Sequence, residues 1–212
     1  MKSIFILKNL MLMVQISNKL KIIIPMKKLI SLFIRSILMI SCGKKDEIIG
    51  SDSVYHLSSN WENQNGEKIK LAELKGKVVA LVMIYTSCKT ACPRLTAEMR
   101  NISKKVGEKN PEDIMYVLVS IDPENDTPEK MKEYLNNNQF TGKEWLFLRS
   151  DEESTREFAN VLAIKYKEIT PIDFSHSNII SIFGKNGSLA FQKEGLSVDV
   201  NGAVEEIKKQ LN

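Results

Sequence analysis

Two stretches of the chain are apolar at nearly every position rather than at alternate ones. They are Val78-Val79-Ala80-Leu81-Val82-Met83-Ile84-Tyr85 and Ile114-Met115-Tyr116-Val117-Leu118-Val119-Ser120-Ile121. Both are short and rich in β-branched residues, which predicts strands covered on both faces at the centre of a sheet. Between them, Pro93 to about Val106 reads as a helix with proline in its first turn, ended by Gly107 and Pro111. After the second strand, Thr127 is a good N-cap and Pro128 suits the first position of a helix running to Asn137. Trp145 to Leu148 predicts a short strand, and Ser154 to Leu162 a helix capped by Ser154.

The polar punctuation predicts two hairpins. Asn65-Gly66 falls within Leu57 to Ile69, and Gly184-Lys185-Asn186-Gly187 separates Ser177–Phe183 from Ser188–Gln192. Ala203 to Leu211 closes the chain as an amphipathic helix. Alternating strands and helices followed by a hairpin make an α/β fold with a central mixed sheet flanked by helices.

The first 41 residues have a different texture. They hold seven basic residues and no acid, and Met26-Lys27-Lys28 precedes a short apolar run ending in Leu38-Met39-Ile40-Ser41-Cys42. A charged segment, an apolar segment and a small residue before cysteine form a secretory signal. Its end resembles a bacterial lipobox, in which Cys42 becomes the lipidated first residue of the mature protein. The competing reading is an uncleaved anchor. The run from Leu29 to Ser41 is 13 residues with an arginine inside it, whereas a spanning helix needs ~20 apolar residues.

Residues 1–25 read as an extension upstream of Met26, residues 42–53 as a polar tether, and residues 54–212 as one domain. The domain is expected on the extracytoplasmic side, membrane-anchored and monomeric. Of the chain's 30 basic and 26 acidic residues, 23 and 26 lie beyond the leader, a net of −3. The basic balance belongs to the leader and gives no reason to invoke nucleic acid.

Of three cysteines, Cys88 and Cys92 sit where the first strand runs into a helix, a usual place for sites in α/β folds. Residues four apart on a helix have Cβ atoms ~5–6 Å apart, whereas a disulfide wants ~3.5–4.5 Å. Closing the bond therefore favours Cys88 just ahead of the regular helix. An inert disulfide, a redox pair and a metal site all remain open. The helix N-terminus favours thiolates for the last two.

His176 is one of two histidines, and a lone histidine is most often a packed or surface residue; His56 reads as a surface residue. Two thiolates with one imidazole nonetheless suit copper better than a hard cation. Structural zinc would want a fourth ligand. The acidic turn Asp122 to Asp126 reads by itself as a solvated loop capping a helix. Asp122 directly follows a buried strand, so it is a candidate to face the Cys88 end of the sheet. Met83, Met99, Met115 and Met131 read as packing rather than as copper ligands.

Three ordered features together resemble the Sco family (SenC-like) of copper proteins in cytochrome c oxidase assembly, over roughly residues 54–212. Thr86 to Pro93 carries Cys-x-x-x-Cys-Pro, Val119 to Pro128 matches a family segment, and His176 precedes a strand and the Gly-Lys-Asn-Gly hairpin. The resemblance implies a thioredoxin-like fold with an inserted hairpin. It implies copper held by Cys88, Cys92 and His176, with Asp122 near the site and a copper-accepting oxidase subunit as partner. Lys89 stands where many members have proline, and Ser175 where many have aspartate. The two other readings are a thiol–disulfide reductase working without metal and a peroxidase-like enzyme, for which Arg94 lies near the cysteines.

Overall fold

The computed structural model describes residues 50–170, 173–196 and 199–212. The leader, Cys42 and most of the tether lie outside the described residues. Among the described residues nine strands and four α-helices follow one another. They are β1 (Trp61–Asn63), β2 (Lys68–Ile69), β3 (Val78–Ile84), α1 (Ala91–Val106), β4 (Ile114–Ser120), α2 (Pro128–Asn137), β5 (Trp145–Arg149) and α3 (Glu152–Val161). Then come β6 (Tyr166–Thr170), β7 (Asp173–His176), β8 (Ile179–Phe183), β9 (Leu189–Glu194) and α4 (Asn201–Leu211).

Seven strands make one sheet in the order β2-β1-β5-β4-β3-β8-β9, and β6 and β7 form a separate two-stranded ribbon. The parallel centre is β5-β4-β3, and β8 closes antiparallel on β3. Every residue of β3 and β4 is buried, as continuous apolar runs require of strands covered on both faces. The flanking elements complete the core. Phe158 of α3 meets Trp61 of β1 edge-on at 5.3 Å, and Tyr134 of α2 meets Phe147 of β5 at 5.8 Å. Met83, Met99, Met115 and Met131 are all core residues. Among the described residues no helix is long and apolar enough to cross a membrane.

Several local expectations hold. Asn65-Gly66 turns β1 into β2, with Gly66 at φ 78°. Thr127 caps α2 by accepting the Lys130 N–H. The cap of α3 is Asp151, not Ser154: its carboxylate accepts the Ser154 N–H at 2.7 Å, and the helix starts two residues earlier than expected. Both residues are capping types; the carboxylate takes the outer position, where its charge also complements the helix dipole. Residues just ahead of the domain are tied to it. Ser53 is buried and donates to the Asn186 carbonyl, and Ser188 donates to Asp52.

Candidate metal centre

The site begins with the direction of β3. As a central strand it ends at the carboxyl edge of the parallel sheet, and Tyr85-Thr86-Ser87 carry the chain over that edge to Cys88. The Cys88 N–H bonds back to the Tyr85 carbonyl, which turns the chain towards α1. Thr90 occupies the cap position of α1 but makes no side-chain cap bond. The Cys88 sulfur does the work instead, accepting the Cys92 N–H at 3.4 Å. Free N–H groups at a helix start favour a sulfur that carries negative charge. Cys88 therefore stands just before the regular helix and Cys92 inside its first turn. Both thiols are free.

His176 comes from the far end of the sequence. It ends β7, with two residues between it and β8, which re-enters the sheet beside β3. Its Nδ1 lies 3.1 Å from the Ser177 carbonyl and its Nε2 lies 3.5 Å from Cys92 Sγ. A carbonyl only accepts, so Nδ1 carries the proton and Nε2 presents a lone pair to the thiols. That is the tautomer a metal ligand needs, and the Nδ1–H bond holds the ring in place. The donor atoms of Cys88, Cys92 and His176 all lie within 4.8 Å of one another.

The two thiols are electrostatically unequal. Burial pushes Cys88 upward, but hydrogen bonds from the Cys92 backbone and thiol and the Thr90 backbone help to outweigh it, so its thiol lies below the ordinary value. Cys92 is fully buried. That burial, reinforced by Cys88 and the Asp126 charge against a backbone bond from Tyr85, pushes its thiol far up. Burial holds the His176 imidazole below its ordinary value, against the pull of the Ser177 carbonyl. At neutral pH the trio is one activated thiol, one protonated thiol and one neutral imidazole.

The trio fits a soft ion. Metal–sulfur and metal–nitrogen bonds of ~2.3 and ~2.0 Å put three donors ~3.5–4 Å apart around a three-coordinate centre. The Cys92–His176 separation already meets this, and a small side-chain adjustment covers the rest of the 4.8 Å span. Among the described residues no carboxylate joins the cluster, so the set is two sulfurs and one nitrogen, which suits Cu(I).

The acidic turn after β4 is solvated only in its middle: Glu124 and Asn125 are exposed, but Asp122 and Asp126 are both buried. Asp122 accepts the Asn125 amide on one oxygen, while its other oxygen is buried without a protein partner. Asp126 was not singled out from sequence and has the closer tie to the cysteine loop. It accepts the Thr86 N–H at 3.2 Å, the Thr86 hydroxyl at 2.5 Å and the Ser120 hydroxyl at 2.6 Å. It thus fastens the turn after β4 to the loop that precedes Cys88. Burial raises its carboxyl, the Ser120 and Thr86 bonds oppose that, and Asp122 adds to it. The only sequence signal was its place in a turn following a buried strand. His56 is exposed, as expected, and bonds the Gly50 carbonyl. Arg94 bonds the Leu196 carbonyl.

Known proteins share this architecture. The family profile described as SCO1/SenC matches residues 55–212. The SCO1 protein homolog of Bacillus subtilis is 32% identical over 139 residues, which span 64% of this chain and 72% of that protein. A structure of BsSco, described as a member of the Sco family of cytochrome c oxidase assembly proteins with a disulfide switch, superposes with a TM-score of 0.63. It is 27% identical over 72% of this chain and 90% of that one. Bradyrhizobium japonicum ScoI with copper bound superposes with a TM-score of 0.57 at 22% identity, over 72% of this chain and 96% of that one. The matched range contains Cys88, Cys92 and His176. The chain belongs to the SCO1/SenC family.

Proposed function

We propose that this protein is a copper chaperone that binds one copper ion through Cys88, Cys92 and His176 and passes it to a copper-accepting subunit of a terminal oxidase. The observation that carries the reading is the meeting of two thiols and an imidazole nitrogen from distant parts of the chain. Relatives solved with copper bound or described as oxidase assembly proteins support the cargo and the destination. A three-coordinate site suits a carrier: it holds the ion with fewer ligands than a closed structural cage, so an acceptor's ligands can enter in exchange. The leader ending in Ser41-Cys42 supports export and a lipid tether that keeps the domain beside the membrane.

The inequality of the thiols supports a second reading, a thiol–disulfide reductase. Cys88, the more acidic thiol, would attack a partner's disulfide and release one partner thiol. Cys92 would then displace the second, leaving Cys88–Cys92 oxidised by two electrons and the partner reduced by two. That exchange has no use for imidazole, so His176 separates the readings. In a strain whose only copy is His176→Ala, the chaperone reading predicts reduced oxidase activity at low copper, partly rescued by added copper, with disulfide formation intact. Full activity at low copper favours the reductase. The wild-type membrane fraction should yield a mature N-terminus with an acylated Cys42; an unmodified Met1 or Met26 on a cytosolic product contradicts the tether.

A further inference from the structure

His176 rides on a ribbon that is not built into the main sheet. Among the described residues β6 and β7 pair only with each other, and the hydrogen bonds that join the seven main strands do not reach them. Something else must set the height of His176 above the thiols. Tyr85, the residue between β3 and the cysteine loop, supplies the connection. Its ring is buried beneath the ribbon. Its hydroxyl donates to Asp173 at 2.7 Å and accepts the Phe174 N–H at 3.2 Å, both in β7. Its ring meets Phe174 edge-on at 5.2 Å and His176 at 6.0 Å. One side chain therefore touches the donor-bearing strand at Asp173, Phe174 and His176. Through the backbone it is also three residues from Cys88.

We propose that Tyr85 and Asp173 form a latch that fixes the ribbon over the cysteine loop and so decides how well His176 reaches the metal. Both act as positioning residues. The inference rests on the metal reading given above and deepens it. The latch separates the two copper oxidation states. Two thiolates satisfy Cu(I) with little help, whereas Cu(II) depends more on the imidazole. Releasing the ribbon should thus weaken Cu(II) selectively.

Two readouts on the reduced full chain test this. In the metal-free protein, Tyr85→Phe keeps the ring but removes the acceptor of the Phe174 N–H. Amide exchange at Phe174 should accelerate about tenfold, the scale of one lost hydrogen bond, with β3, β4 and β8 unchanged as evidence of an intact fold. In copper titrations, Tyr85→Phe and Asp173→Ala should each weaken Cu(II) about tenfold and Cu(I) less than about threefold. Asp173→Asn keeps an oxygen that accepts from the Tyr85 hydroxyl, so it should match wild type. Unchanged Phe174 exchange, unchanged Cu(II) affinity in Tyr85→Phe, or equal losses for both ions would overturn the latch. If wild type binds no copper, or His176→Ala binds Cu(II) as tightly as wild type, the metal reading falls instead, and the exchange result alone decides the latch.

Discussion

At the scale of single residues, the chemistry of this protein turns on where protons sit. Cys92 holds its proton strongly because it is buried beside Cys88 and the Asp126 charge, whereas Cys88 is eased towards the thiolate by the hydrogen bonds it accepts. His176 is kept neutral by burial. Copper needs both sulfurs deprotonated, so loading must expel whatever protons they carry. Below the Cys88 value both thiols are protonated and two protons leave per copper, so affinity falls steeply as pH drops. Between the Cys88 and Cys92 values only the Cys92 proton leaves, and the dependence halves. Calorimetric titration in buffers of different ionisation enthalpy should count two protons below the Cys88 value and approach one as pH rises through it. A count that stays at two up to the ordinary thiol range would mean that Cys88 is not lowered.

At the scale of elements, the parts with strong local signals were legible and the parts that depend on distant partners were not. β3, β4, the Asn65-Gly66 turn and the Thr127 cap follow from pattern and turn chemistry. The ribbon of β6 and β7 did not show itself, because most of its residues are exposed and it has no apolar stripe to read. Only the family resemblance implied a hairpin of this kind. Asp126 was invisible for the opposite reason: its partners Thr86 and Ser120 come from two other segments. The same holds for Glu98 of α1 and Lys193 of β9, nearly a hundred positions apart, which pair at 2.6 Å with side chains only 9% and 11% exposed. This pair clamps the cysteine helix to the antiparallel edge of the sheet. Breaking a buried pair strands the remaining charge, which costs ~3–5 kcal/mol. Lys193→Met should therefore lower stability by about that amount in denaturant unfolding. The double change Glu98→Leu with Lys193→Met should recover most of it. A loss below ~1 kcal/mol for the single change would show that Glu98 stays solvated.

At the scale of the whole molecule, the fold brings together residues nearly ninety positions apart. β3 lies between β4 and β8, so the loop leaving β3 and the strand entering β8 meet at one corner. The first carries the thiols and the second follows the imidazole. The adjacency of β3 and β8 was not derivable from local pattern; the Cys-x-x-x-Cys-Pro motif and the downstream histidine announced the site only in combination. The central claim is that both sulfurs and this nitrogen hold one copper ion. X-ray absorption at the copper edge of the reduced, copper-loaded chain tests it most directly. The expected spectrum fits two sulfur scatterers at ~2.2–2.3 Å and one imidazole nitrogen at ~2.0 Å per copper. The nitrogen contribution should vanish in His176→Ala. A shell of sulfur alone, identical in wild type and His176→Ala, would contradict the account.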